Sequence, residues 1–258
     1  MWTRQLLKDN AKIAFKRNYW SCVAVCFLLA ILAGGPGVSL NVNTSGQSAS
    51  EPNDLMQSIS FEEFVESINP LIWGILLIGV LMGVVIGLLI VTFVSNVATV
   101  GSSRYFLENR EHKTNVSQLF YGFQGGRYLS IVKNMFLRVL YIWGWSLLFV
   151  IPGIVKVYSY MMVPYILAEN PGLDRKRVFQ LSRQMMDGHK MEAFVLKLSF
   201  LGWGFLGAFT FGILNVLYVN PYMNATYAEF YSAVRAEAMS KGYVTEAELP
   251  GVALPVID

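Results

Sequence analysis

Basic residues are missing from a third of this sequence: between Asn18 and Ser103 there is neither lysine nor arginine. Charge is scarce throughout, at 14% of 258 residues, where a soluble domain carries about 25%. The shortage is confined to long uncharged blocks, which argues against an ordinary water-soluble enzyme. A clustered basic face on a soluble domain is also lacking, and nucleic acid is excluded as a partner on that ground. Only two cysteines and two histidines are present. Cys22 and Cys26 are too few for a disulfide framework. Four residues apart in an apolar block, they read as small hydrophobes rather than a metal or redox pair. His112 and His189 fall in connectors between apolar blocks. No HExxH motif, phosphate-binding GxxxxGK[ST] loop or GxSxG elbow appears. Ser102-Ser103 follows Gly101 without a base nearby and reads as a helix-end pair. The expectation is a non-enzyme with no catalytic residue, no metal and no cofactor.

What is present is apolar surface, 54% of positions. Leu71–Val100 contains no charged residue, and about 20 apolar residues suffice to cross a bilayer as a helix. Further apolar blocks run over Tyr19–Ala33, Met135–Ile151, Ile154–Ala168, Ala193–Gly207 and Phe211–Tyr231. Trp20, Trp73, Trp143, Trp145 and Trp203 stand near block ends or within them, as in an interfacial belt. The spacing predicts an all-α polytopic transmembrane bundle, about six spans in three hairpins, with amphipathic surface helices. Its segments are a basic helix (1–18), a first hairpin (19–100) with an outer loop (34–70), and a cytoplasmic connector (101–134). A second hairpin (135–168), a cytoplasmic helix (169–192), a third hairpin with its extension (193–241) and a flexible tail (242–258) follow. Ile31-Leu32-Ala33 places a bulky Ile where a signal-peptide cleavage site prefers a small residue, so the first block is read as retained.

Three stretches between blocks have helical periodicity. Arg4, Lys8, Lys12 and Lys16 recur every four residues as a basic stripe, with Leu6, Leu7, Ile13 and Ala14 on the other side. Ser60 and Glu63 form a capping box ahead of Phe61, Phe64, Val65 and Ile68. Asp174 caps a third helix ended by Gly188, with Val178, Leu181 and Met185 as its apolar side. Lysine and arginine then set the orientation. Five precede the first block, five lie in 101–134, six lie between Arg175 and Lys197, and two follow Tyr231. The outer loop has five acids and no base, and only Lys156 falls on the expected outer side. Both termini are therefore expected in the cytoplasm of a multi-pass protein of the cell membrane.

Gly79, Gly83 and Gly87 make a doubled small-xxx-small pattern, which favours close helix packing in lipid, within the chain or in a homo-oligomer. Buried polar groups are the better clue to a ligand, since they must meet partners or water. Asn220, Asn224, Tyr227 and Tyr231 share one side of the sixth block. Pro221 and Pro164, counted from the outer turns, fall near mid-bilayer, with Tyr160 and Tyr165 close by. Asn220, Asn224, Tyr227, Tyr165 and Tyr160 are thus the candidate lining of a cavity for an amphipathic ligand, or else the polar seam of a closed bundle. Arg138 and Lys197 sit just inside the cytoplasmic ends of their blocks, where they either snorkel to the interface or pair with Glu229, which should emerge at a similar depth.

Gly144-Trp145, Gly153-Ile154 and Pro164-Tyr165 recur in order as Gly202-Trp203, Gly212-Ile213 and Pro221-Tyr222, which is either chance or a same-orientation repeat. The run Ile151-Pro152-Gly153-Ile154, Tyr158-Ser159-Tyr160, Pro164-Tyr165, Ala168-Glu169 resembles the domain-of-unknown-function 975 family of bacterial membrane proteins. Ser182-Arg183, Met186, Gly188-His189-Lys190, Ser199-Phe200, Gly202-Trp203, Pro221-Tyr222 and Phe230-Tyr231 are similar to it too, as is the opening Leu7-Lys8 through Asn18-Tyr19-Trp20. The resemblance implies a multi-span bacterial membrane protein and supplies no catalytic residues. Two functions remain: a non-enzymatic binding or scaffold protein in envelope organisation or protection against membrane-active compounds, or a transporter-like protein for a small amphipathic solute. Its expected partners are the lipid bilayer and an amphipathic ligand or membrane protein.

Overall fold

The computed structural model describes residues 2–32 and 70–252. The described chain is all-α, and it divides into two compact units, Met1–Gly37 with Val91–Asp258, and Val38–Ile90. The Ser60–Glu63 capping box and most of the outer loop lie outside the described residues. The described part of the second unit is one helix, α3 (Pro70–Ile90), with no charged residue. Its described side chains from Trp73 to Ile90 are all exposed. Within this unit, a Cβ added at Gly79, Gly83 or Gly87 would meet no atom within 4 Å.

In the first unit, Thr3 caps α1 (Arg4–Arg17) by accepting from the Leu6 amide at 3.2 Å. The face that packs is Leu7, Ala11, Ala14 and Phe15. Leu6 and Ile13, expected on that side, are exposed instead. At Asn18 the chain bends by 97° into α2 (Tyr19–Leu32). The core is organised around α4 (Asn96–Glu111), entered through a π-helical turn at Val91–Ser95. Eleven of its residues are buried, including Ser102 and Ser103, so this pair sits mid-helix and not at a helix end. The expected connector 101–134 therefore begins inside a largely buried helix. Gly101 makes this packing available, because a Cβ there would collide with the Leu119 carbonyl of the 3-10 segment Val116–Phe123.

Two hairpins follow. In the first, α5 (Tyr128–Leu148) and α6 (Val150–Ser159) meet at an extended Phe149. The turn therefore falls before Pro152-Gly153, expected at the bend. Pro152 lies in the first turn of α6, where amides have no intrahelical acceptor. Gly153 passes so close to Ser146 that a Cβ would lie 2.8 Å from the Ser146 Cα. Beyond Tyr160–Met162 the chain re-forms as α7 (Val163–Glu169), every residue of which is buried. Asp174 caps α8 (Arg175–Met185), and Gly188 has a positive φ of 81°. The second hairpin rises through α9 (Lys190–Leu198) and α10 (Leu201–Phe209). It turns at Thr210–Gly212 and returns through a π-helical segment, Asn215–Val219, into α11 (Asn220–Ser240).

Six spans were expected; among the described residues two helices, Trp73–Glu111 and Val150–Glu169, are long and apolar enough to cross a membrane, or three if α1 and α2 count as one. The tail expected to be loose is docked as far as it is described. Val244 and Leu249 are buried, and Arg235 donates to the Leu249 carbonyl.

The glycines make a direct test of this packing. Gly101→Ala should cost about 1–3 kcal/mol by overpacking against Leu119. Gly144→Ala, whose Cβ meets nothing within 4 Å, should gain up to about 1 kcal/mol from helix propensity. Thermal unfolding in detergent reads both, and equal melting temperatures would contradict the Gly101–Leu119 contact.

Candidate functional site

The elbow at Asn18 is held by polar groups converging on α4. The Asn18 amide donates to the Tyr105 hydroxyl (3.2 Å), the Asn109 carbonyl oxygen of the side chain (3.1 Å) and the Thr114 main-chain carbonyl (3.0 Å). Asn109 answers by donating to the Ala14 carbonyl at 3.0 Å and to the Cys22 sulfur at 3.6 Å. Tyr105 also donates to Cys22, at 3.6 Å. Arg17 donates to the carbonyls of Asn109 and Glu111, closing the C-terminal end of α4. Both cysteines are free and buried, but they do more than fill space: each is a hydrogen-bond acceptor inside the fold.

The five residues nominated as a cavity lining do not converge. Asn224 faces inward, but towards α2, donating to Cys26 at 3.4 Å. Tyr165 stacks on Tyr231 with ring centres 5.1 Å apart. Tyr160 packs edge-on against Phe179, and its carbonyl accepts from Arg138 at 2.9 Å. Tyr227 is half-buried against the core, and Asn220 half-buried at the start of α11. Pro221 is also not remote from the basic helix: the hydroxyl of Tyr222 donates to the Lys8 carbonyl at 3.4 Å, and Lys12 lies 5.9 Å from the Tyr222 ring. Pro164 lies in the wholly buried α7.

Ion pairs join the helices at the same end. Glu229 meets Arg110 in a two-bonded pair at 2.9 and 3.3 Å, not Arg138 or Lys197, because α11 lies along α4. Arg235 pairs with Glu169 at 3.1 Å, and Glu169 also accepts from the Gly251 amide at 3.0 Å. Arg177 reaches both oxygens of Glu248, at 2.7 and 2.9 Å, and the Tyr243 carbonyl at 2.7 Å. That bond holds the Glu248 carboxyl below the usual carboxylate range. His189 stands between Glu192 (2.7 Å) and Glu237 (3.2 Å).

The surface of the first unit has several openings. A notch of about 410 Å³ is lined by Thr3, Arg4, Lys8 and Ser199. A slot of about 400 Å³ runs from Tyr158 and Lys197 to Ile154 and Leu201. An apolar groove of about 420 Å³ lies between Trp20, Ala24 and Phe27 on one side and Phe211, Ile213 and Leu217 on the other. None of these is lined by a nominated residue; Tyr158, two residues before Tyr160, lines the slot. The sequence did carry a signal for the apolar groove, in the apolar residues around the Thr210–Gly212 turn.

Because Glu248 has a depressed carboxyl, its pairing should stabilise the docked tail above the ordinary carboxylate range and fade as pH falls through the lowered value. Arg177→Ala should speed protease cleavage after Lys241 roughly severalfold at neutral pH. Glu248→Gln should remove the acid-side change. Cleavage at the wild-type rate in Arg177→Ala would show that the tail is held by other contacts.

No curated protein and no solved structure matches the chain. A family model does match, over residues 53–238, beginning after the N-terminal helices and ending before the docked tail. With well over half its length covered, the chain belongs to the family described as protein of unknown function (DUF975).

Proposed function

We propose that this protein is a non-enzymatic integral membrane protein that binds or scaffolds other components in envelope organisation or in protection against membrane-active compounds. One observation carries the membrane part. The uncharged helix Pro70–Ile90 exposes every described side chain from Trp73 to Ile90. An apolar surface of that extent is unstable in water and stable in hydrocarbon. The basic residues of α1, the 101–134 segment and α8 assign their side to the cytoplasm, leaving both ends there and the stretch between α2 and α3 outside.

The geometry favours binding or scaffolding over solute passage. Of the groups that would line a path, Asn224 is hydrogen-bonded to Cys26 and the ring of Tyr165 is stacked on that of Tyr231. The Ser103 hydroxyl donates to the Thr99 carbonyl within buried α4, which suits a packing role and not a nucleophile.

The native cysteines report on this directly. In native membranes, Cys22 and Cys26 should stay unreacted with a small aqueous thiol reagent, while the denatured chain reacts fully. Reaction at Cys26 that an amphipathic solute blocks would replace the scaffold with the transporter. For orientation, Ser117→Cys with Cys22→Ala and Cys26→Ala should be labelled by an impermeant reagent only after permeabilisation; labelling on intact cells would invert the assignment.

A further inference from the structure

The lipid-facing parts of the two hairpins are too short to cross a bilayer. The buried residues of α5 end at Met135, so of its 21 residues only Phe136 to Leu148 faces outward, about 20 Å at 1.5 Å per residue. α10 has nine residues and α6 has ten, about 14 and 15 Å at 1.5 Å per residue. A hydrocarbon core is about 30 Å thick, so each helix matches one leaflet. The bases of both hairpins are fixed by polar contacts. The Ser182 hydroxyl donates to the Ser159 carbonyl at the foot of α6, at 2.8 Å. The ammonium of Lys8 lies 4.9 Å from the ring of Phe200 at the foot of α10. α7, which would lengthen the first hairpin to a full span, is buried by protein.

The tips are the most exposed apolar points of the unit: Leu147 is 79% exposed, Ile151 77%, Phe209 76% and Phe211 98%. A hairpin that crosses presents its turn to water, where charged and turn-forming residues collect. From Leu147 to Val155, and from Gly202 to Leu214, there is no charged residue. A turn left in hydrocarbon must instead pair its own backbone, and both turns pair a good part of it. The Phe149 amide bonds to Trp145 at 3.2 Å and Gly153 to Phe149 at 3.1 Å. Gly212 bonds to Gly207 at 2.9 Å, and Leu214 to the Thr210 hydroxyl at 3.2 Å. Phe211 shares its groove with Trp20 and Phe27, so this tip lies alongside the first turns of α2, about 14 Å or less beyond the elbow. Lys156, the one cation on the expected outer side, is a single turn from Ser159 and so belongs near the basic side.

We infer that the α5–α6 and α10–α11 hairpins are wedges that enter one leaflet and turn back within it, so that the partner fitting their apolar tips is the acyl layer of the cytoplasmic leaflet. The inference rests on the membrane reading above. Single cysteines at Phe149, Phe211 and Ser48, in full-length chains carrying Cys22→Ala and Cys26→Ala, separate the two. Ser48→Cys should react with a charged impermeant reagent on intact cells. Phe149→Cys and Phe211→Cys should react at least roughly tenfold more slowly, before and after permeabilisation, yet readily with a lipophilic maleimide, because charged reagents do not reach hydrocarbon. A spin label at either position should lie near the bilayer centre by oxygen and nickel accessibility. Labelling of the tips from outside at the Ser48→Cys rate would make the hairpins spans. Labelling only after permeabilisation would place them in the cytoplasm, and a disulfide between two copies at Phe211→Cys would give the tip a protein partner. Each of these overturns the inference. Extraction of the whole protein by alkaline wash would instead defeat the membrane reading.

Discussion

The Asn18 amide is the contact on which the arrangement of the first unit depends. Its two protons are shared among Tyr105, Asn109 and Thr114, so a residue at a helix bend is tied to the middle and the end of α4. Without it, three acceptors would be left to find other donors in a buried setting, where an unpaired group costs about 1–3 kcal/mol. The tie fixes a 97° change of direction. One arm, basic α1, then lies across Phe200 and Tyr222, while the other, apolar α2, packs its Cys22–Cys26 side on the body and carries no charged residue. Amphipathic and apolar helices at a right angle suit an interface: one lies along it and the other enters it.

A second constraint is helix length, which acts as a ruler of depth. α3 is long enough to span, whereas α6 and α10 reach one leaflet. Side chains at the hairpin feet are polar or paired, and those at the tips are Leu, Ile and Phe. Asymmetric insertion of this kind adds volume to one leaflet, which links the protein to the packing of the surrounding lipid as well as to any protein it holds. Below the feet, Arg110–Glu229, Arg235–Glu169 and Arg177–Glu248 bind α4, α7, α8, α11 and the tail into one body. Charged partners of this type are retained where several helices must meet in one register.

Much of this was legible in the sequence. Helix limits near Asp174 and Gly188 follow from capping chemistry, the one near Asn18 from the change of a basic stretch into an apolar block, and the charge asymmetry from counting. Hydropathy alone did not distinguish a core from a lipid face. Ile154–Ala168 reads as one apolar block, yet its second half is buried by α4 and α8 while its first half is buried only in part. Pro152-Gly153 looked like a turn because both residues break helices; Pro152 instead occupies a first turn, and Gly153 permits contact with Ser146. The direction of Asn224 and the partner of Glu229 depend on which helices are neighbours, and no local pattern encodes that. The docked tail rests on Leu249 and Glu248, two residues in a stretch with little periodicity.

The central claim is that a packed helical body sits against one face of the membrane with its hairpins in the adjoining leaflet. Neutron reflectometry of the full chain in a supported bilayer tests it most directly, since it resolves protein density along the membrane normal. The account expects the body of Met1–Gly37 and Val91–Asp258 as a layer outside one headgroup region, with its hairpin density falling off near the bilayer centre. A body lying within the hydrocarbon, with hairpin density carried through to the opposite headgroups, would contradict it.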